Sequence, residues 1–363
     1  MFFNTKIKIG KSVIGLGKPT YIIAEIGSNF DGSIERAKKL AELCKKAGAN
    51  AFKIQNFLAP KIVSNVGFKN LQLAFQAKWD RPVVEVYRQA EFPREWIMEL
   101  ASHCKKISID FFSSPYDTEA VDLLEKIDIS AYKLGAGEID NLEFIQYVAK
   151  TGKPIIMSAG AATMREISNA VQVIRKTSNK NLILLQCVTN YPSPIADANL
   201  EAMVTLQKKF KVMVGYSDHT IGREGGADDP LHGLTVPLGT VALGGCVIEK
   251  HVTDDRSRKG PDHPFALTMD ELTKMVQGVR AMEQALGDGC KKVMPSEKET
   301  VIIQRRGMYA TRLIKKGERF KRDMITYLRP AVGLRPPYIR MILRKRAAHD
   351  IKVAEPISKN DIV

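Results

Sequence analysis

A chain of 363 residues, 44% of them hydrophobic, is too long for one small domain and carries enough apolar material for a barrel-sized core plus a small module. Its apolar windows are short and interrupted, which excludes a membrane-spanning helix. Met1-Phe-Phe-Asn-Thr-Lys6 lacks the long apolar stretch of a secretion signal, and five scattered cysteines without C-x-x-C spacing fit reduced thiols, so a cytoplasmic protein is expected. The net charge is +15, with roughly +11 after residue 300. No helix-turn-helix, zinc finger or aromatic RNA-binding signature accompanies the basic stretch 340–346, so nucleic acid is not the expected partner. A basic cover over a pocket for anions accounts for the same charge by electrostatic steering.

In chain order, apolar runs predict strands at 21–24, 51–54, 110–112, 131–134, 154–157, 182–185, 212–215 and 246–248. Amphipathic stretches with three- and four-residue spacing lie between them, such as Ile34, Ala37, Leu40, Ala41 and Ile167, Ala170, Val171, Ile174. Strictly alternating βα units imply parallel strands, and eight of them within roughly 270 residues predict an α/β (β/α)8 TIM barrel. A doubly wound sheet is the alternative, but no G-x-G-x-x-G follows the first strand.

The residues that end these strands would share one rim. They are Glu25; Lys53 and Gln55; Ser113 and Ser114; Lys133 and Glu138; Ser158; Thr189, Asn190 and Tyr191; Ser217, Asp218 and His219; and Glu249 with His251. Lysines and serines there suit a phosphate, and glutamates and histidines suit proton transfer and a metal. Two imidazoles flanked by carboxylates fit a borderline divalent ion; the same pair also reads as two hydrogen-bonded core histidines.

The barrel is expected to span 1–290, with an N-terminal extension and a last helix at 269–286. A polar connector follows at 291–304, long enough to reach roughly 40 Å if extended. From 305 to 363 the text changes to short β-like pieces. Arg312-Leu-Ile-Lys-Lys-Gly-Glu318 and His349-Asp-Ile-Lys-Val-Ala-Glu-Pro356 are similar to each other, which predicts a small pseudo-symmetric β-rich domain.

Several motifs carry a resemblance. Ile23-Ala-Glu-Ile-Gly27, Phe52-Lys-Ile-Gln55, Tyr132-Lys-Leu-Gly-Ala-Gly-Glu138, Asn190-Tyr-Pro-Ser-Pro194, Gly215-Tyr-Ser-Asp-His-Thr220, Glu249-Lys-His251 and Gly260-Pro-Asp-His263 stand in order. With them the chain resembles the N-acetylneuraminate (sialic acid) synthase family over about residues 17–363. Its last 60 or so residues are similar to the antifreeze-like (SAF) domain of those enzymes. The resemblance implies condensation of phosphoenolpyruvate with an N-acetylated hexosamine, giving a nonulosonic acid and phosphate. It assigns a divalent metal, Mn²⁺ or Mg²⁺, to His219 and His251. Lys53, Lys133, Ser158, Thr189 and Ser217 match positions that bind phosphoenolpyruvate, and Glu25, Glu138, Tyr191, Glu249 and Asp262 match positions around the sugar and the reacting carbons. Glu25 and Glu138 both qualify as the acid/base. Arg329 matches an arginine that reaches the sugar's N-acetyl group from a partner protomer, which implies a domain-swapped homodimer.

Four departures bear on the sugar. Phe30 stands where many members carry histidine, which predicts a more apolar pocket. Ala136 replaces a phosphate-binding serine, and Thr189 an asparagine found in some members. Residues 222–233 form a longer loop, either a substrate-specific lid or a neutral insertion. Legionaminate or pseudaminate synthesis, or a silent carbohydrate-binding relative, are the alternatives.

Overall fold

The structure is a computed structural model and describes residues 2–71, 81–221, 229, 231 and 233–363. The chain divides into two compact units, Met1–Gly287 and Asp288–Val363.

In the first unit a hairpin, β1 (Lys6–Ile9) and β2 (Ser12–Gly15), precedes eight parallel strands. These are β3 (Tyr21–Glu25), β4 (Ala51–Asn56), β5 (Asp110–Pro115), β6 (Tyr132–Leu134), β7 (Ile155–Ser158), β8 (Leu182–Cys187), β9 (Met213–Asp218) and β10 (Val247–His251). Each overlaps a strand expected from the sequence, and seven of them run further at the C-terminal end, β4 and β5 by two and three residues. The hydrogen-bonded order is β5-β4-β3-β10-β9-β8-β7-β6. β5 and β6 also lie side by side, but no ladder joins them among the described residues, so the barrel is nearly closed with one seam. Helices such as Ile34–Ala47 and Met164–Lys176 cover the outside. The second begins at a reciprocal cap between Thr163 and Glu166 and buries Ile167, Ala170, Val171 and Ile174, the apolar face its periodicity predicts.

Strand residues alternate between two cores. Ile22, Ala24, Phe52, Ile54, Leu182 and Leu184 face the helices. Tyr21, Ile23, Ala51, Phe112, Ile183, Leu185 and Val247 face the barrel axis, where Ile7, Ile9 and Ile14 of the hairpin join them. The hairpin thus plugs the N-terminal end of the barrel. The N-terminal extension is thus a hairpin, and Lys6-Ile-Lys-Ile9 alternates exposed and buried residues as a strand should.

The same alternation separates neighbours in the two histidine motifs. Glu249 and His251 point inward, whereas Lys250 points outward. The Lys250 ammonium is buried and donates to Asp218 Oδ2 at 2.7 Å, Thr220 O at 2.6 Å and Thr220 Oγ1 at 3.1 Å. Asp218 Oδ1 also accepts from Thr220 N at 2.8 Å. This network fixes the turn that carries His219. Lys250→Met leaves Asp218 as an uncompensated buried charge, so urea denaturation should show a loss of about 3–5 kcal/mol.

The second unit has its own core, with Met308, Ile314, Phe320, Met324, Ile342, Ile351 and Ile357 among its members. β11 (Gly307–Ala310) pairs antiparallel with β12 (Ile325–Leu328). The two similar segments meet across a pseudo-twofold axis. Ile314 and Ile351, equivalent in the repeat, exchange backbone hydrogen bonds of 2.9 Å in both directions. Gly317 and Ala354, also equivalent, both have positive φ, at 80° and 62°. Glu318 and Glu355 then accept from the backbone N–H of Lys315 and Lys352 at 3.0 and 2.7 Å.

The connector departs from the expected tether. Pro295–Glu297 forms a 3-10 turn and Lys298–Gln304 an α-helix. Ile302 O accepts from Ala331 N at 2.8 Å, so the helix belongs to the second unit. A helical residue advances only about 1.5 Å, so the 40 Å reach of an extended chain does not apply. In the long loop, residues 222–228, 230 and 232 lie outside the described residues. Asp229, which is described, is buried and accepts from Thr235 Oγ1 at 2.6 Å and from Gly233 N at 3.0 Å, ordering the entry to the helix Thr235–Ala242.

Candidate active site

The C-terminal strand ends deliver their charged residues to one buried cluster. Glu25, Lys53, Lys133, Ser158, Ser217, Glu249, His219 and His251 are all at most 5% exposed. Register sets them at neighbouring levels: His251 lies beside Glu25, Glu25 beside Lys53, and Glu249 beside Ser217.

Glu249 is the hub. Its Oε1 lies 3.3 Å from Lys133 Nζ and accepts from Ser217 Oγ at 3.0 Å, and its Oε2 lies 3.7 Å from Lys53 Nζ. Lys53 also pairs with Glu25, whose other oxygen accepts from Gly27 N at 2.6 Å. Burial alone would raise the Glu249 carboxyl, but Lys133 and Lys53 outweigh it and hold it at about 2. Burial pulls the Lys53 ammonium down to about 7 against the attraction of Glu249, with Lys133 adding to the depression. Ser158 Oγ is buried with no hydrogen-bond partner among the described residues and lies on the inward face of β7.

The histidines face one another with ring centroids 5.5 Å apart. His219 Nδ1 lies 2.7 Å from the Val188 carbonyl, which can only accept. Nδ1 therefore carries the proton, and Nε2 keeps its lone pair. His251 Nδ1 is buried without a hydrogen-bond partner among the described residues. Burial pushes His219 down to about 4 and His251 well below its ordinary value, so both rings are neutral at physiological pH. A neutral imidazole with a free lone pair is what metal ligation requires, so the pair fits a divalent ion. Among the described residues no set of three or more His, Cys, Asp or Glu gathers around one point. Tyr191 covers the pair with its ring centroid 4.2 Å from His219, and Phe265 packs 5.0 Å from His251.

Asp262 closes the β3 side, accepting from Ser28 N at 2.8 Å and Ser28 Oγ at 3.0 Å. Gly27 permits this approach. Its φ is +51°, and a Cβ there would lie 2.1 Å from Asp262 Oδ2 and 3.4 Å from His251 Cε1. Burial raises Asp262 despite those hydrogen bonds.

The remaining expected residues are more scattered. Gln55 is half-buried two residues beyond Lys53, on the same face of β4. Glu138 is half-buried in the single turn Ala136–Glu138 after β6, accepts from Asn141 Nδ2 at 3.1 Å, and is raised by burial. Ala136 begins that turn. Thr189 is exposed, with Oγ1 3.9 Å from Cys187 Sγ. Arg329 lies in the second unit, exposed, directly after β12.

Phe30 does not line the pocket. It is 1% exposed and packs edge-on against Phe92 with centroids 4.9 Å apart, and Phe92 in turn meets Trp96. The loop after β3 carries it back into the core between barrel and helices, so the expected apolar wall at that position is absent.

Three aromatic residues were missed. Phe57 follows β4, Tyr116 follows β5, and Tyr87 lies on the helix Val83–Ala90. Phe57 packs edge-on against both tyrosines, 5.8 Å from Tyr116 and 5.7 Å from Tyr87. The signal for Tyr116 lies in Ser113-Ser-Pro-Tyr116, two residues beyond the serines that end the strand's apolar run.

Residues 40–291 match the NeuB family model, and residues 305–363 match the SAF domain model. The chain belongs to the NeuB family. It is 39% identical over 343 residues to the N,N'-diacetyllegionaminic acid synthase of Campylobacter jejuni, covering 94% of this chain and 99% of that one. A pseudaminic acid synthase of the same organism is 37% identical, with 95% and 97% covered. Among solved structures, an N-acetylneuraminic acid (sialic acid) synthetase from Leptospira borgpetersenii superposes with a TM-score of 0.70 at 31% identity, covering 83% of this chain and 96% of that one. This chain is therefore an enzyme of the NeuB-type synthase class, a barrel followed by a SAF domain. No helix among its described residues is long and apolar enough to cross a membrane.

Proposed function

We propose that this chain condenses phosphoenolpyruvate with an N-acetylated hexosamine, N-acetylmannosamine or a related 2,4-diacetamido sugar, to give a nonulosonic acid and phosphate. The observation that carries the reading is the pair of buried lysines bridged by Glu249, beside a neutral histidine pair at the same barrel mouth.

Lys53, Lys133 and the Ser158 and Ser217 hydroxyls offer donors for the phosphate and carboxylate of phosphoenolpyruvate. Glu249 holds the two ammonium groups and the Ser217 hydroxyl in place, so the anion meets donors that are already oriented. A divalent ion, Mn²⁺ or Mg²⁺, would be held by His219 and His251 and when bound would polarise the sugar aldehyde. Tyr191 and Phe265 shield that corner from water.

C3 of phosphoenolpyruvate attacks the aldehyde carbon, a C–C bond forms, and the aldehyde oxygen takes up a proton. Water adds to C2, and the C2–O bond to phosphate then breaks, releasing phosphate. Glu25 lies next to Lys53, with one oxygen held by Gly27 N, and in this reading it moves a proton at the water or the new hydroxyl. Glu138, in the turn after β6, has its carboxyl raised by burial and stands across the ring from His251.

The test is phosphate release from phosphoenolpyruvate with a panel of N-acetyl sugars and added Mn²⁺. Release that requires one of these sugars, with a product of the summed mass less phosphate plus water, is expected. Release independent of any sugar, or none with the whole panel, would overturn the reading.

A further inference from the structure

The wall of Tyr116, Phe57 and Tyr87 stands where the barrel has its seam. Tyr116 leaves the end of β5 and spans towards β6. A methyl placed on Gly135 would lie 3.2 Å from the Tyr116 hydroxyl oxygen, so the hydroxyl rests on the start of the turn that ends at Glu138. Glu138 N donates to Gly135 O at 3.2 Å and closes that turn. The Tyr116 hydroxyl has no hydrogen-bond partner among the described residues. Burial and then the neighbouring Glu138 charge raise it, so it stays protonated and able to donate.

A protonated phenol beside a carboxyl group is a donor next to an acceptor. A secondary amide presents the complementary pair: its C=O accepts from the phenol and its N–H donates to the carboxyl. The face of Phe57 adds an apolar surface for the acyl methyl.

The barrel order locates the group that is read. In a ring of eight strands, positions four apart stand opposite. β5 is opposite β9, which His219 directly follows, and β6 is opposite β10, which carries His251. The proposed function sets the acceptor's aldehyde at the histidines, so Tyr116 and Glu138 meet the part of the acceptor remote from the aldehyde. We propose that Tyr116 is a specificity-determining residue which, with Glu138, selects an acceptor bearing an acylamino group at C4. This rests on the proposed condensation.

The test compares 2,4-diacetamido-2,4,6-trideoxymannose with 2-acetamido-2,6-dideoxymannose, which differ only at C4, for the wild-type enzyme and Tyr116→Phe. The wild type should favour the diacetamido sugar in kcat/KM by about tenfold or more, and Tyr116→Phe should erase most of that ratio, the effect of about one hydrogen bond. Thermal melting of the variant controls for folding. No wild-type preference, or a ratio that Tyr116→Phe leaves unchanged, overturns the inference alone, whereas a wild type inactive with every acceptor overturns the proposed function and the inference with it.

Discussion

Lys53→Met should lower kcat/KM for phosphoenolpyruvate by about a thousandfold or more, the scale of losing an oriented charge in a water-excluded site. Lys53 is 2% exposed and is shared between Glu25 and Glu249. Among the described residues, its removal leaves Lys133 as the one cation beside Glu249, so the variant should also be more easily denatured by acid. The sign follows from Glu249. Its folded carboxyl, at about 2, lies below the unfolded value of about 4.3, so its contribution to stability is present above that value and lost as pH falls through about 2. Without Lys53 the carboxyl rises and the loss begins at higher pH.

Lys53 also predicts a pH profile. With burial holding its ammonium near 7, the group is charged below that pH and neutral above it. Because kcat/KM reports the free enzyme, its value for phosphoenolpyruvate should fall as pH rises through about 7. Lys53→Arg keeps its charge across that range, so the residual activity of that variant should lack the limb. A limb unchanged in Lys53→Arg would assign the titration to another group.

His219→Ala should reduce turnover by about a thousandfold with little loss of fold, since a metal's charge stabilisation amounts to several kcal/mol. The ring is neutral and makes one conventional hydrogen bond, to the Val188 carbonyl, so its removal strands no buried charge. Mn²⁺ binding followed by electron paramagnetic resonance should weaken in parallel. Normal Mn²⁺ binding by an inactive, folded His219→Ala would remove that residue from the ligand set.

Parallel barrel strands are buried on both faces, so each strand stands out in the sequence as an apolar run followed by a polar cluster. That makes Lys53, Lys133, Glu249 and the two histidines legible in the sequence. Loops gave less. Phe30 lies five residues beyond Glu25, and nothing in the sequence says that the chain has turned back into the core by then. Tyr116 had the opposite fate: an aromatic residue after a strand reads as packing, yet its hydroxyl reaches the turn before Glu138. The connector looked like a polar spacer because charged residues flank it, while Val301-Ile-Ile303 sits within a helix hydrogen-bonded to its own unit. In the second unit the internal repeat was visible, and its physical meaning, reciprocal pairing of Ile314 and Ile351, needed the fold.

The most direct measurement of the central claim uses phosphoenolpyruvate carrying ¹⁸O in the bridging C2–O position, incubated with the preferred acceptor and the metal-loaded enzyme. Mass spectrometry should find the label in the released phosphate, together with an unlabelled nonulosonic acid formed in equal amount. Unlabelled phosphate, or labelled phosphate without the condensed product, would contradict the account.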